Sequence, residues 1–269
     1  MRFFFNLFSL IFSIINIYAF QDSTNVYQIE YERTLTLEKN PKPLVANYEY
    51  TKFIEINKSL YGKKNKIKTT SVLSEDEDDD SILYFTPSGK NVTAVYKDYN
   101  DAVFYSKHEV AYKYFVVQDS LDIFNWNIEE QTKEILGFKC QFATMDFRGR
   151  TYEAWFAPKL PVGGPWKYDG LPGMILELKS IDNFIAFKTI AIKNGKLSQE
   201  KLIDNPFDGK ETLTWNEFKA LYKKKALELI SYRPNKYSAG IISSRGGIEN
   251  YIAKDDEEYN KALKEASKN

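Results

Sequence analysis

Residues 168–178 read YDGLPGMILEL, and this stretch decides how the middle of the chain folds. Its GLPG segment predicts a type II turn, because Pro172 presets φ at the first central position and Gly173 supplies a positive φ at the next. A Cβ at Gly173 should therefore cost stability. Residues 174–179 then predict a β-strand, since apolar and polar side chains follow each other with a period of two. One face would carry Met174, Leu176 and Leu178, and the other Ile175, Glu177 and Lys179.

A β-hairpin is predicted directly upstream of this turn. Residues 141–147 and 151–156 have strand patterns, and Arg148-Gly149 lies between them as a turn. In the second segment Tyr152, Ala154 and Phe156 alternate with Thr151, Glu153 and Trp155. One interpretation is that hairpin, proline-containing loop, turn and strand form one folding unit. The alternative is that residues 158–173 form a binding lip, since long loops rich in special-φ residues often carry function.

These motifs occur in an order that resembles the signature of the GLPGLI family of exported Gram-negative bacterial proteins. The series is GFKC at 137–140, FRGR at 147–150, AWF at 154–156, LPVGGP at 160–165 and GLPGMI at 170–175. Met174 stands where the family name has leucine, a swap that keeps apolar character and volume. The resemblance covers less than a fifth of the chain. It implies an exported protein, whereas the biochemical role of the family is not established.

Composition and pattern predict a mainly β (α+β) protein outside the signature. Aromatic residues make up 16% of the chain, which favours a sheet-dominated fold. Candidate strands lie at 27–32, 47–56, 81–86, 91–96, 102–106, 113–117 and 184–192, and Lys-Asn-Gly at 193–195 predicts a hairpin turn. With the family resemblance, this strand series predicts a strongly curved antiparallel sheet or half-barrel with a few covering helices. Such a fold would resemble the periplasmic carriers of outer-membrane lipoproteins.

Two helices are predicted near the carboxyl end. The sequence TWNE at 214–217 is a capping-box pattern, and Arg233-Pro234 would end the helix that it begins. The second helix would run from Asp255 or Asp256 to Ala266, with an acidic start and a lysine-rich end that suit the helix dipole.

The amino-terminal segment predicts export. Residues 1–19 have the pattern of a secretory signal peptide, with Arg2 before an apolar run and Ala19 at a plausible cleavage site. The alternative is an anchor helix, for which the apolar run is short. No later segment is apolar enough to cross a membrane. We therefore expect residues 20–269 to form a single β-rich domain in the periplasm or at the outer membrane.

The sequence contains no recognisable catalytic constellation. Lys plus Arg and Asp plus Glu both total 37, so a basic footprint for nucleic acid is missing. The single histidine, His108, has the pattern of a surface or strand-end residue, and one histidine with one distant cysteine does not make a zinc or copper site. We therefore expect a non-enzymatic protein without a cofactor or metal. The acidic run at 75–80 is interpreted as a solvated loop, because it lacks the spacing of a calcium loop.

Cys140 is the only cysteine, so an intrachain disulfide is impossible. It is either a buried small apolar residue or a reactive thiol that could pair with another chain. Together with Gly149, Pro165, Gly170, Pro172 and Gly173 it forms the set of motif residues to which we assign a structural role.

Two functional hypotheses follow. The first is a binding or carrier protein for a lipid, an acyl chain or a hydrophobic peptide, with Trp155, Trp166, Leu171 and Met174 lining or gating a cleft. The second is an accessory docking partner of an outer-membrane protein, through Arg148, Arg150 and the loop at 158–173. Aromatic rings that line an open cleft and rings that fill a core have the same period, so the sequence leaves both open. Enzymatic activity is the third and least favoured hypothesis.

Overall fold

A computed structural model describes residues 23–37, 42–63, 93–110, 113–198, 204–231 and 245–268. Its elements are β1 (Ser23–Leu35), β2 (Leu44–Phe53), β3 (Lys58–Lys63), β4 (Thr93–Asp98), β5 (Val103–Val110), β6 (Lys113–Ser120), a 3-10 helix (Leu121–Ile123), β7 (Asn127–Ile135), β8 (Phe138–Phe147), β9 (Arg150–Ala157), β10 (Met174–Ser180), β11 (Ile185–Ser198), β12 (Thr212–Leu213), α1 (Trp215–Ser231) and α2 (Glu257–Lys268). The predicted signal peptide, the strand at 81–86, the acidic run at 75–80 and the Arg233-Pro234 stop lie outside the described residues.

The twelve strands join in one open sheet, in the order β12-β6-β5-β4-β3-β2-β1-β11-β10-β9-β8-β7. Neighbouring strands are antiparallel except for β12, which pairs with β6 in parallel. The prediction of a mainly β fold with helices is thus confirmed at the level of a large open sheet and two helices. The likeness to lipoprotein carriers stays a prediction.

The concave side of the sheet holds the loop between β9 and β10. Lys97 on β4 contacts the loop at Asp169, while Tyr31 on β1 donates a hydrogen bond to the Ile175 carbonyl at the loop's end. Five strands separate β4 from β9 in the sheet order, so the sheet curves around the loop. In the described part of the chain the concave face is a filled core and not an open cleft: Tyr31, Tyr50, Tyr61, Tyr152, Tyr168 and Phe187 are each at most 2% exposed.

The β8–β9 hairpin is confirmed, and its turn has the geometry that favours tight pairing. Arg148 has φ 47° and Gly149 has φ 85°, so both central residues are left-handed, as in a type I′ turn. A Cβ on Gly149 would also lie 2.9 Å from the Asn250 Cβ. The structural role assigned to Gly149 thus has two physical reasons. The predicted alternation holds as well, because Tyr152, Ala154 and Phe156 are fully buried.

Strand β10 differs from its predicted face pattern. Ile175 pairs with Phe156 and Glu177 pairs with Trp155, so Leu176 is an extra residue in a β-bulge. The bulge moves Ile175 to the face of Phe156, whereas the period-two pattern assigned it to the face of Glu177. The two carbonyl groups at the bulge accept hydrogen bonds from side chains, Ile175 from Tyr31 and Leu176 from Thr189, at 2.6 Å each.

The predicted hairpin turn at 193–195 is wrong. Strand β11 continues through this segment, and Lys193, Asn194 and Gly195 pair with Gln28, Tyr27 and Val26 of β1. Turn-forming residues remain in a strand here because a long partner strand offers them a complete hydrogen-bond ladder.

Helix α1 begins as predicted. The Thr214 amide donates to the Glu217 carboxylate at 2.8 Å and the Glu217 amide donates to Thr214 Oγ1 at 3.3 Å, which is a closed capping box. Phe218 is buried against Val110 and Val117, so α1 covers the end of β5 and β6. Helix α2 packs on α1 through Tyr259. No helix in the described ranges is both long enough and apolar enough to cross a bilayer.

Candidate functional site

The turn at the signature hexapeptide is tighter than the predicted type II turn. The Gly173 amide donates to the Leu171 carbonyl at 2.8 Å, which closes a three-residue turn around Pro172, and the φ of Gly173 is 157°. Gly173 is required mainly by space: a Cβ there would lie 2.7 Å from the Ala157 carbonyl carbon and 2.8 Å from the Pro158 Cα. Gly170 does adopt a left-handed conformation, with φ 85°.

A buried ion pair fixes the second half of the loop to strand β4. The Lys97 ammonium lies 2.8 Å from the Asp169 carboxylate and also donates to the Tyr168 carbonyl at 2.7 Å. The side chains of Lys97 and Asp169 are 1% and 3% exposed. Tyr99 donates a further hydrogen bond to Asp169 at 2.8 Å. Burial lowers the pKa of Lys97, and the nearby Asp169 charge offsets part of that shift.

A second buried cluster holds the neighbouring loop residue, Lys167. Its ammonium lies 2.5 Å from the Glu249 carboxylate, and both side chains are 0% exposed. Arg148 donates to the same carboxylate at 2.8 Å and to Asp119 on β6. Burial lowers the pKa of Lys167 to about 8, although Glu249 acts in the opposite direction. Lys167 and Asp169 thus anchor the loop to two different parts of the molecule.

His108 belongs to this second cluster. Its predicted position at the surface is wrong, whereas the alternative of a strand-end position agrees with its place near the end of β5. It is 6% exposed, and Lys167 donates to its Nε2 at 3.2 Å. Because an ammonium only donates, Nε2 accepts, so Nδ1 carries the proton and donates to the Tyr251 hydroxyl at 3.4 Å. Burial, then the charges of Lys167 and Arg148, hold the pKa of His108 well below its usual range.

The two arginines of the predicted docking patch point into the protein. Arg148 is held by Asp119 and Glu249 and lies 3.5 Å above the Trp215 ring. Arg150 pairs with Asp182 and donates to the carbonyl groups of Ile248 and Gly247. The side chains of Arg148 and Arg150 are 10% and 11% exposed. They anchor the segment 245–250 to the β8–β9 hairpin, so these contacts occupy the groups that docking would need.

The predicted cleft residues do not lie together. Leu171 and Met174 are 1% and 0% exposed, so neither lines an open cleft, and Pro165 is also buried. Trp166 is partly exposed and packs edge-on against Tyr168 on the concave side, with ring centroids 5.6 Å apart. Trp155 belongs to the alternate set of β9 residues, opposite the buried Tyr152, Ala154 and Phe156. The signature therefore acts in the structure as a folding unit, and of these four residues Trp155 alone faces outward from the sheet.

The outer face around Trp155 forms a shallow groove of about 690 Å³. We call this surface the Trp155 platform. Its lining residues are Gln131, Lys133, Phe142, Glu153, Trp155, Glu177, Leu178, Lys179, Ala186, Phe187 and Lys188. Strand register places Phe142 opposite Trp155, Trp155 opposite Glu177, and Glu177 opposite Lys188. These four side chains thus form one row across β8, β9, β10 and β11.

Two aromatic rings and several charged groups lie side by side on the platform. The rings of Trp155 and Phe142 have centroids 4.9 Å apart at an interplanar angle of 46°. Lys133 lies 4.5 Å from the Trp155 ring centroid and pairs with Glu177. In the adjacent row Lys179 pairs with Glu153 at 3.0 Å. Sequence reasoning identified Trp155 but missed its neighbours, because they come from other strands and only the register brings them together.

Cys140 lies on the same side of β8 as Phe142, beneath the charged groups. It is 0% exposed, which confirms the expectation of a buried cysteine. Burial raises the pKa of its thiol to about 11, with Lys133 and Glu177 as the nearby charges. A thiol with a raised pKa is a poor nucleophile at neutral pH.

A second groove of about 670 Å³ lies where α1 begins, between Asp119, Arg148 and Trp215. Its Arg148 and Asp119 side chains bind each other and are only 10% and 12% exposed, whereas the paired charges of the platform are 28–54% exposed. Across the described ranges, no three His, Cys, Asp or Glu side chains converge in a way that could hold a metal ion. The Trp155 platform is therefore the better candidate for a binding surface.

Comparison with known families and structures gives two findings. Residues 146–177 match the model of a family described as a protein of unknown function (Porph_ging). Two solved structures of PNGF-II, in the P21 and C2 space groups, each share 16% sequence identity with this chain, with TM-scores of 0.44 and 0.41. Each match covers 75% of this chain and 34% or 32% of the PNGF-II chain, so this chain spans about a third of their length. A comparison with curated proteins finds no match.

Proposed function

We propose that this protein is a non-enzymatic binding protein of the cell envelope, which holds an amphipathic ligand on the outer face of its sheet. The observation that carries this proposal is the Trp155–Phe142 pair, partly exposed in a groove and flanked by charged side chains. Binding sites combine apolar and aromatic surface with a few polar groups that orient the ligand. The predicted signal peptide and the GLPGLI-like signature support the envelope location.

The outer face suits this role better than the concave face. A carrier with an internal cleft needs apolar surface that its own chain leaves uncovered. Here Tyr31, Tyr50 and Phe187 belong to one buried core together with the loop residues Tyr168 and Leu171, in the described part of the concave side. An apolar ligand placed there would have to displace the loop and its two ion pairs, at a large cost in stability. We therefore assign the binding role to the Trp155 platform.

The docking-partner hypothesis keeps one supporting observation. Strand β7 is an edge of the sheet next to the platform. Its Ile128 is 43% exposed, and Leu136, which follows the strand, is 52% exposed. An edge strand with exposed apolar side chains can pair with a strand of another protein. We rank this second, because β7 also carries a bulge and four charged residues, which discourage pairing.

Native mass spectrometry of the mature protein, gently released from its own periplasm, tests the proposal. We expect a discrete added mass on the unmodified protein that Trp155→Ala removes. Ile190→Ala is the matched control, because Ile190 is 40% exposed on β11 but does not line the groove. A clean apo mass from every preparation, or an added mass that survives Trp155→Ala, would contradict binding at the platform.

A further inference from the structure

We infer that the ligand of the Trp155 platform is a neutral oligosaccharide; this rests on the proposed function and specifies its ligand class. The inference comes from the juxtaposition of two aromatic rings with charges of both signs in neighbouring rows of one sheet face.

The charges on the platform disfavour a purely apolar ligand. Five charged side chains line the groove: Lys133, Lys179, Lys188, Glu153 and Glu177. An acyl chain that covered the groove would remove water from these groups and return no hydrogen bonds. Four of these side chains form the ion pairs Lys133–Glu177 and Lys179–Glu153 but are still 28–54% exposed, so covering their remaining donors and acceptors without new partners would be unfavourable. The platform thus carries five charged side chains beside its aromatic and aliphatic surface, whereas a site for an acyl chain has only a few polar groups.

The same charges disfavour a strongly charged ligand. Positive and negative groups are interspersed, with Glu177 next to Lys188 in one row and Glu153 next to Lys179 in the other. A polyanion would meet two carboxylates, and a polycation would meet three ammonium groups. Electrostatic complementarity requires a surface of predominantly one sign. A ligand without net charge avoids this conflict.

Hydroxyl groups match the platform because each can donate and accept a hydrogen bond. The lysines offer donors and the glutamates offer acceptors in adjacent positions, so one polyhydroxylated ligand can satisfy both. The Trp155 and Phe142 rings supply flat apolar surface for the C–H face of a sugar ring, with dispersion and C–H contacts as the attraction. Sugars combine these two properties in one molecule.

The length of the platform points to an oligosaccharide and not to a single sugar. The row from Phe142 to Lys188 crosses three strand spacings, which is roughly 14 Å. The groove is open at the surface, so a chain can extend past both ends. Binding on such an exposed surface should be moderate in affinity, since only part of each ligand is buried.

A glycan array of neutral oligosaccharides, followed by calorimetry with the best probe, tests the inference. We expect at least one neutral oligosaccharide to bind the mature protein, with Kd rising about tenfold or more in Trp155→Ala. Ile190→Ala should leave Kd unchanged within about twofold. Because the ligand is uncharged, raising sodium chloride from 50 to 500 mM should change Kd less than about twofold. Trp155→Leu is a second variant should Trp155→Ala lose the native circular dichroism spectrum.

The other outcomes separate the inference from the proposed function. If no neutral oligosaccharide binds, but a fluorescent fatty acid or an apolar peptide binds and is lost in Trp155→Ala, the saccharide inference is overturned and the proposed function stands. Selective, salt-sensitive binding of acidic glycans would also overturn the inference. If no probe binds in a Trp155-dependent way and native mass spectrometry shows only apo protein, both are overturned.

Discussion

At the scale of single residues, the backbone around Gly173 leaves no space for a side chain. The nearest atoms to an added Cβ belong to the main chain of Ala157 and Pro158, which cannot rotate away. We expect Gly173→Ala to lower the free energy of unfolding by about 1–3 kcal/mol, as for other overpacked sites. Urea unfolding followed by circular dichroism measures this. Gly195→Ala in β11 is the control, because a Cβ added at Gly195 meets no atom within 4 Å. This change should raise the free energy of unfolding by about 0.5–1 kcal/mol, since alanine loses less backbone entropy than glycine on folding.

The buried pair Lys97–Asp169 supports a second prediction at this scale. Lys97→Met leaves the Asp169 carboxylate buried without its cation, so we expect the free energy of unfolding to fall by about 3–5 kcal/mol. The double variant Lys97→Met, Asp169→Leu should lose less stability than Lys97→Met alone, because no unpaired charge remains buried. Lys179→Met removes an exposed pair with Glu153 and should cost less than about 1 kcal/mol. Equal losses for Lys97→Met and Lys179→Met would contradict this account.

Residue identity alone predicted some of these roles and missed others. The sequence predicted a structural role in turns for Gly149 and Gly173, because glycine is often required where the backbone needs a positive φ or close approach. The burial of Lys97, Lys167 and Glu249 was not foreseeable, since lysine and glutamate are almost never fully buried unless paired. Their partners lie 72 and 82 positions away in the chain, so no local pattern reveals the pairing.

At the scale of elements, the capping box at the start of α1 has a measurable consequence. Thr214→Ala removes the acceptor for the Glu217 amide, so we expect a loss of about 1 kcal/mol in stability. Because the lost bond is local, amide hydrogen exchange should accelerate most in the first turn of α1. Asn216→Ala, in the same turn but without a capping bond among the described residues, should leave exchange there nearly unchanged.

Local sequence patterns predicted an element correctly where all local signals indicate the same structure. The β8–β9 hairpin and the start of α1 agree with the sequence, because alternation, turn residues and cap residues all indicate the same structure. The face of Ile175 and the turn at 193–195 were predicted wrongly. A β-bulge in β10 and the length of β1 decide these two features, and both depend on partner strands that the local sequence does not specify.

At the scale of the whole molecule, the sheet's curvature determines which of the predicted site residues can meet. The loop fills the concave side, so Leu171 and Met174 became core residues, whereas Trp155 remained on the outer face. The sequence could not separate a lining ring from a core ring. Once the register is known, Phe142, Trp155, Glu177 and Lys188 fall in one row, and the candidate site follows from that row.

Global stability should depend on pH through the chain's single histidine, His108. Lys167, Arg148, Glu249 and Tyr251 are the titratable or charged groups around it, and its folded pKa lies below the unfolded value of roughly 6.5. Just below pH 6.5, His108 is therefore protonated in the unfolded chain but stays neutral in the folded chain. Stability contributed by neutral His108 is present above pH 6.5 and is lost as the pH falls below it, by up to about 1.4 kcal/mol per pH unit.

Comparison with His108→Gln isolates this effect, because glutamine keeps an oxygen that can accept from Lys167. We expect urea unfolding between pH 7.5 and 5 to show a steeper loss of stability for the unmodified protein than for His108→Gln. Paired carboxylates such as Asp182 have a lowered pKa in the folded protein. The stability that they contribute is lost only below the unfolded carboxylate pKa of roughly 4, which lies outside this pH range. Parallel pH profiles for the two proteins would mean that His108 is hydrated or paired with an acid, contrary to the buried, cation-facing position described above.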